Sequence, residues 1–276
     1  MADAAYATMY RSEWIKGFER DQALLRSTVT TEAIFNGREA VFLVATTNRE
    51  AVTRGPNGLI PASTDDLNQY TLTIEEKHDL PQKTRFNIFV GQSDQRAIMQ
   101  ANSRGVINRD VDNEIIDALE TGTLQVSAVA DTMGKGLVNK AITMMVNANI
   151  PFDGRITGVL TPAAWAYLSD IPQFASQDYV RGRPMEEGPV TRMRWMGIDW
   201  TMHSGLPGIG TASASCFIYH KSAVGHAYAS GDIQALSGYN EEQDYSWTRT
   251  TLYHGAKLLQ NTGVIEILHD DSALSA

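Results

Sequence analysis

The chain has 276 residues, enough for one large domain or two modest ones. Its formal charge is −9, with 43% hydrophobic and 20% charged residues. That balance argues against a free nucleic-acid binder, which needs a basic patch to release counterions, and no run approaches the roughly 18 apolar residues of a membrane-spanning helix. Cys216 is the only cysteine, so an internal disulfide and a cysteine-built zinc site are excluded. Residues 1–22 lack the basic-then-apolar order of a signal peptide, which makes a cytosol the expected compartment.

The stretch up to residue 35 carries Trp14, Ile15, Phe18, Ala23, Leu24 and Leu25 without a single apolar stripe. It is expected to drape over something else rather than close its own core. Glu39 to Thr47 is β-branched, aromatic and short, which predicts a strand. The polar run that follows, with Gly55, Pro56, Asn57, Gly58 and Pro61, predicts turns in a long loop. Tyr70 to Glu76 and Arg85 to Gly91 read as further strands, so residues 48–69 form the loop of a projecting hairpin.

Ser93 to Gly122 predicts one long helix. Ser93 or Asp94 caps its start, and Ile107, Val111, Ile115 and Leu119 recur every fourth residue with Ala118 beside them. Gly122 is expected to stop it in a left-handed conformation. About 27 residues at roughly 1.5 Å each make a rod on the order of 40 Å long, which a compact domain seldom needs. Asp110, Asp112, Glu114 and Asp117 fall mostly off the apolar stripe and predict a solvated or intersubunit face. Beyond it, Gly134 to Ala148 predicts a second helix, Ile156 to Leu160 a strand, and Thr161-Pro162 a helix start. The stretch 174–190 reads as loop, 192–207 as a strand pair turning near Gly197, and 213–229 as an apolar strand entering a basic turn. Two alternating strands close the chain.

No arrangement of reactive residues emerges. Gly134, Lys135 and Gly136 fail the spacing of a phosphate-binding loop, and the glycines of 205–212 precede a strand instead of joining a strand to a helix. The six histidines (78, 203, 220, 226, 254, 269) are scattered and predict surface or hydrogen-bonded roles, not a metal site. No serine elbow is present, and Cys216 sits in an apolar run expected to bury its thiol. Catalytic, cofactor-binding and metal residues are therefore expected to be none.

The order of elements carries more than any motif. "RGPNGLIP" on a hairpin, the long helix Ser93 to Gly122, "NIPFDGRITGVLTPAAWAYL" followed by "GPVTRMRWMGIDWTMHSGLP", and the late strands around "HKSAVGHAYA" and "HGAKLLQNTGVIEILHD" resemble the major capsid proteins of tailed bacteriophages, the Hong Kong 97-type fold. The resemblance implies an α+β fold with an N-terminal arm (1–38), an E-loop region (39–76), a P-domain with a spine helix (77–129), an A-domain (130–235) and a return to the P-domain (236–276). It implies a subunit that self-assembles as hexamers and pentamers into an icosahedral shell around double-stranded DNA, without sequence-specific binding and without a membrane. Assembly is expected in the bacterial host cytoplasm, with separate scaffolding, portal and decoration proteins as candidate partners. The implied subunit contacts are the E-loop tip: Arg54, Gly55, Pro56, Asn57, Gly58, Leu59, Ile60 and Pro61. No lysine lies between Lys16 and Lys77, so cross-linking from that loop is not expected.

Gly105 interrupts the long helix before the regular ladder begins. A helical glycine costs roughly 1 kcal/mol against alanine when exposed, so Gly105 marks either close packing or a bend in the spine. Two rival readings stand beside the shell subunit: another virion structural protein, and a soluble α/β enzyme with an unrecognised site.

Overall fold

The structure is a computed structural model and describes residues 22–46, 51–58, 60, 66–90, 95–127, 131–175, 192–231 and 233–274. In chain order the strands and helices begin with β1 (Thr30–Ile34), β2 (Glu39–Thr46), β3 (Asp66–Thr73), β4 (Glu75–Asp79) and β5 (Gln82–Thr84). Then come α1 (Arg85–Val90), α2 (Gln95–Glu120), β6 (Gln125–Ser127), α3 (Lys135–Asn147), β7 (Ile156–Leu160), α4 (Pro162–Ser169) and α5 (Pro172–Ala175). The rest is strand: β8 (Arg192–Trp195), β9 (Ile198–Met202), β10 (Ala214–His220), β11 (Val224–Ala229), β12 (Gln234–Asn240), β13 (Tyr245–Leu258) and β14 (Val264–His269).

These strands make two mixed sheets and a ribbon. In the first sheet β13 is the shared member, pairing antiparallel with β11, β12, β4 and β5, while β1 runs parallel to β11. The second has the order β6-β14-β10-β7-β9-β8. Among the described residues β2 and β3 pair only with each other, from Glu39↔Thr73 to Thr46↔Asp66. The 26-residue helix α2 lies along β13, and at roughly 1.5 Å per residue it spans about 39 Å.

Most of the predicted elements appear where the sequence pattern placed them. Thr161 caps α4 by accepting a hydrogen bond from Ala164 N–H, with Pro162 at the first helical position. Met196 and Gly197 both take positive φ (53° and 79°), the two-residue turn that matches strand twist and joins β8 to β9. The ladder Ile107, Val111, Ile115, Leu119 is buried in the main core with Val138, Val159, Trp200, Phe217 and Ile265. Ser93 and Asp94, the expected caps of α2, lie outside the described residues.

Four expectations are corrected. Of the strand expected over Arg85 to Gly91, Arg85–Val90 is helical and Gly91 lies outside the described residues: Thr84 Oγ1 accepts from Asn87 N–H, the geometry of an N-cap, and the chain turns into α1. The strand expected over Tyr70 to Glu76 is two strands, β3 and β4, broken at Ile74. Gly122 ends α2 without a left-handed φ; a Cβ there would stand 3.0 Å from the Leu119 carbonyl and 3.3 Å from Val264 Cγ1 of β14, so the space beside the helix end is tight. Leu25 does not drape over a partner but is buried in the main core of its own chain.

The second sheet depends on one tight fit. Gly158 on β7 faces Trp200 on β9 in register, and a Cβ at Gly158 would lie 2.3 Å from the indole. Trp200 is held there by its Nε1–H, which donates to the Trp195 carbonyl at 3.1 Å. Gly158→Ala must displace a pinned, fully buried ring, and such overpacking costs about 1–3 kcal/mol. Chemical denaturation of the isolated subunit is expected to show a lower midpoint with an unchanged slope; an unchanged midpoint would mean that the ring is free to move.

Candidate functional site

Residues 51–58 are exposed throughout. Gly58 N–H donates to the Gly55 carbonyl at 3.2 Å across Pro56 and Asn57, which closes a β-turn, and Arg54 Nε donates to the Gly58 carbonyl at 2.8 Å. Ile60 is exposed too, while Leu59 and Pro61 lie outside the described residues. Below this turn, the β2–β3 ribbon has two unlike faces. Ala40, Phe42 and Leu72 are buried against Ala227 and Leu259, a small core of their own that fixes the ribbon to the first sheet. The opposite face carries Val41, Leu43 and Leu67, with Leu43 and Leu67 65% and 63% exposed. A soluble monomer rarely presents an apolar strand face next to an exposed apolar loop, with Val52 and Ile60 also uncovered.

Behind the ribbon, α2 is anchored by buried acid–histidine contacts that its sequence pattern did not announce. Asp112 is 2% exposed, which overturns the expectation of a solvated face for it. Its Oδ2 accepts from Leu24 N–H at 3.0 Å and its Oδ1 from Leu25 N–H at 2.9 Å, 88 and 87 residues away. Those amides precede a short 3₁₀ turn, Arg26–Thr28, that has no cap of its own, so Asp112 supplies the cap from the helix. His203 Nε2 stands 3.4 Å from Asp112 Oδ2. Gly205 N–H donates to His203 Nδ1 at 3.0 Å, so the ring proton is on Nε2 and points at the carboxylate.

Two residues along the helix, Asp110 Oδ2 lies 3.1 Å from Nε2 of the fully buried His254. That contact, chiefly a hydrogen bond from His254, holds the Asp110 carboxyl below the usual range. His226 sits beside His254 with ring centroids 5.7 Å apart, stacks on Tyr228, and is fully buried, with neither ring nitrogen hydrogen-bonded among the described residues. Burial first, then the neighbouring His254 and Arg26, push its pKa down to about 3, so it is neutral at physiological pH. Gly105 is buried within the unbroken α2, not exposed.

Cys216, His269 and Asp271 come together at the far end of β10 and β14. The residue types match a nucleophilic triad, but the geometry does not. His269 Nε2 faces both Asp271 Oδ1 (2.6 Å) and Cys216 Sγ (3.9 Å), so one nitrogen would have to serve the acid and the nucleophile together. All three side chains are fully buried, and burial raises the thiol pKa far above its ordinary value. Among the described residues, no three His, Cys, Asp or Glu side chains gather as metal ligands, and no helix is long and apolar enough to cross a membrane.

A profile of the phage capsid protein family matches residues 2–271. No curated protein sequence matches the chain. Among solved structures, the cyanophage Pam1 capsid is similar at 11% identity and TM-score 0.78, over 99% of this chain and 98% of that one. The capsid of cyanophage P-SCSP1u is similar at 12% identity and TM-score 0.74, over 96% and 93% of the two chains. That of Ralstonia phage GP4 is similar at 13% identity and TM-score 0.73, over 97% and 96%. At these identities the likeness establishes the fold.

Two measurements test the buried contacts. Asp112→Asn keeps the shape but turns a donor toward amides that need an acceptor; the subunit is expected to lose about 2–4 kcal/mol, with faster hydrogen exchange at the Leu24 and Leu25 amides. Wild-type stability with slow exchange would show that the carboxylate is dispensable. His226 titrates near 6.5 when unfolded and near 3 when folded, so between those values the unfolded chain binds the extra proton and stability falls as pH falls. His226→Phe removes that proton and is expected to flatten the acid side of the stability curve by at most roughly 1.4 kcal/mol per pH unit. An identical slope in both proteins would place the acid sensitivity elsewhere.

Proposed function

The chain belongs to the phage capsid protein family, and from that premise we propose how this shell subunit is assembled. It is a structural component of a virion capsid, and its α+β fold is that of phage capsid subunits. In our reading, copies join as hexamers and pentamers in the host cytoplasm, around double-stranded DNA that is not read by sequence, with scaffolding, portal and decoration proteins supplied separately. The subunit works by contact and not by catalysis.

The observation that carries this is the two-faced ribbon. One face is cemented to the body by Phe42 and Leu72; the other leaves Val41, Leu43 and Leu67 in solvent beside the turn at Arg54 to Gly58. A face that is costly to expose in a monomer becomes favourable when a second copy covers it, at roughly 25 cal/mol per Å² removed from water. A weak contact repeated over a closed shell is stabilised by mass action. The balance of −9 suits a container, because packed phosphates find few counter-charges on it.

The division into an arm (1–38), E-loop region (39–76), P-domain (77–129), A-domain (130–235) and return (236–276) belongs to the same proposal. The pairing of β14 with β10 supports counting Val264–His269 with the A-domain sheet instead. The spine bend at Gly105 belongs to it as well, supported by the loss of helix propensity there. A helix equally straight in precursor and mature shells would leave Gly105 as a packing position.

Electron microscopy of the expressed, purified protein tests the reading. Wild type is expected to form closed shells or related polyhedra. Deletion of Arg54 to Asp65 is expected to leave a subunit with wild-type circular dichroism and melting that assembles poorly. Equally stable shells from the deleted protein would remove the loop from the contact.

A further inference from the structure

One positive feature of this acidic chain is a cleft at the edge of the second sheet, about 470 Å³ in volume. Arg155, Arg192, Arg194 and Lys221 line it, from the start of β7, the edge strand β8 and the turn after β10. Two carboxylates share the neighbourhood: Asp153 lies 3.5 Å from Arg155 Nε, and Asp199 lies 3.7 Å from Arg194 Nε. Arg192 donates to Thr201 Oγ1 and to the Leu24 carbonyl, and Lys221 to the Ser27 carbonyl. These neutral oxygens orient the cations without cancelling them. Among the described residues, four positive against two negative groups leave a local excess of two positive charges, on a chain whose total is −9. Arg155 and Arg194 remain 68% and 63% exposed, so their remaining guanidinium donors face solvent.

The converse feature stands on the other sheet. The β12–β13 hairpin turns through Glu241 and Glu242, both exposed, and neither is paired with a cation among the described residues. The turn is rigid: Glu242 N–H and Gln243 N–H donate to Asn240 Oδ1, and Tyr239 OH donates to Asp244. Tyr245 pairs with Thr84 of β5, so in its own subunit the hairpin is committed to the first sheet. Glu75 and Glu76, by contrast, are exposed acids that already face Lys77 and His78.

We propose that the Glu241–Glu242 turn of one copy seats in the Arg155–Arg194 cleft of a second copy. This rests on the self-assembly proposed above and adds to it a second, polar contact distinct from the apolar ribbon. A convex acidic tip and a concave basic cleft on one chain make a heterologous pair, which propagates from copy to copy and closes only at a fixed geometry. Arginine forks bind carboxylates bidentately, so the contact also sets orientation. Opposite charges speed encounter, and like charges disfavour wrong registers.

A charge-reversal cycle on the full chain tests it, with shells measured by sedimentation and microscopy and each subunit's melting recorded. Arg155→Glu with Arg194→Glu, and separately Glu241→Lys with Glu242→Lys, are each expected to raise the concentration needed for assembly on the order of tenfold. Combining all four substitutions is expected to restore assembly toward wild type. If the arginine reversal lowers the melting temperature, Arg155→Gln with Arg194→Gln replaces it. The exposed tip variant decides independently: normal assembly by Glu241→Lys with Glu242→Lys overturns the proposal. A fourfold variant that melts normally but does not assemble overturns it as well. Cleft variants that assemble normally but retain less DNA would assign the cleft to phosphate and likewise overturn it. Wild-type protein that makes no shells would refute the proposed function itself, whereas wild-type shells with indifferent variants would refute only this contact.

Discussion

A single buried carboxylate holds the architecture together. Asp112 belongs to α2, yet its two oxygens are occupied by the amides of Leu24 and Leu25 and by the ring of His203. Three separate parts of the chain therefore meet at one charge: the segment that leads back toward the N-terminus, the long helix, and the connection out of β9 in the second sheet. An ion at this depth is tolerable only when its hydrogen bonds are complete, so the three parts are fixed together or not at all. The helix thereby becomes a beam joined in its C-terminal half, while Asp110 to His254 ties the same beam to the first sheet.

That rigidity explains the division of labour in the molecule. The two sheets and α2 share one large apolar cluster, which closes without help from another chain. The ribbon shares only a small one, and its outer face and turn remain in water. On the assembly proposed above, a shell built from such parts gains stiffness from the body and adhesion from the extensions. The buried Cys216–His269–Asp271 group belongs to the body: it fills space between β10 and β14 and offers neither an accessible thiol nor a correctly divided imidazole.

Much of this was legible in the sequence, for specific reasons. The ladder Ile107, Val111, Ile115, Leu119 gave α2, because its partners there are apolar. Thr161-Pro162 gave α4, and the order of elements gave the fold. The misreadings share a cause: tertiary contacts overrode local pattern. Asp112 looks like a surface acid until amides 87 and 88 residues away are brought to it. Arg85 to Val90 has the composition of a strand but forms a helix whose start is marked by the cap from Thr84. The irregular pattern before Ile107 also has a physical origin. There α2 buries Ser103, and the helix lies along a β13 whose buried side chains include Thr248, Thr250 and His254. Two of the scattered histidines are neighbours in space; strand register, invisible in one sequence, sets His226 beside His254.

The central claim is that the body is complete within one chain and that the ribbon and its turn are completed by a neighbour. Hydrogen–deuterium exchange on free subunits and on assembled shells measures it most directly. The account predicts that amides of Ile107 to Leu119 and of Leu24 and Leu25 are already slow in the free subunit, and that residues 41–46, 51–58 and 66–72 gain protection only in the shell. Equal protection of those segments in both states, or a long helix that exchanges freely until assembly, would contradict it.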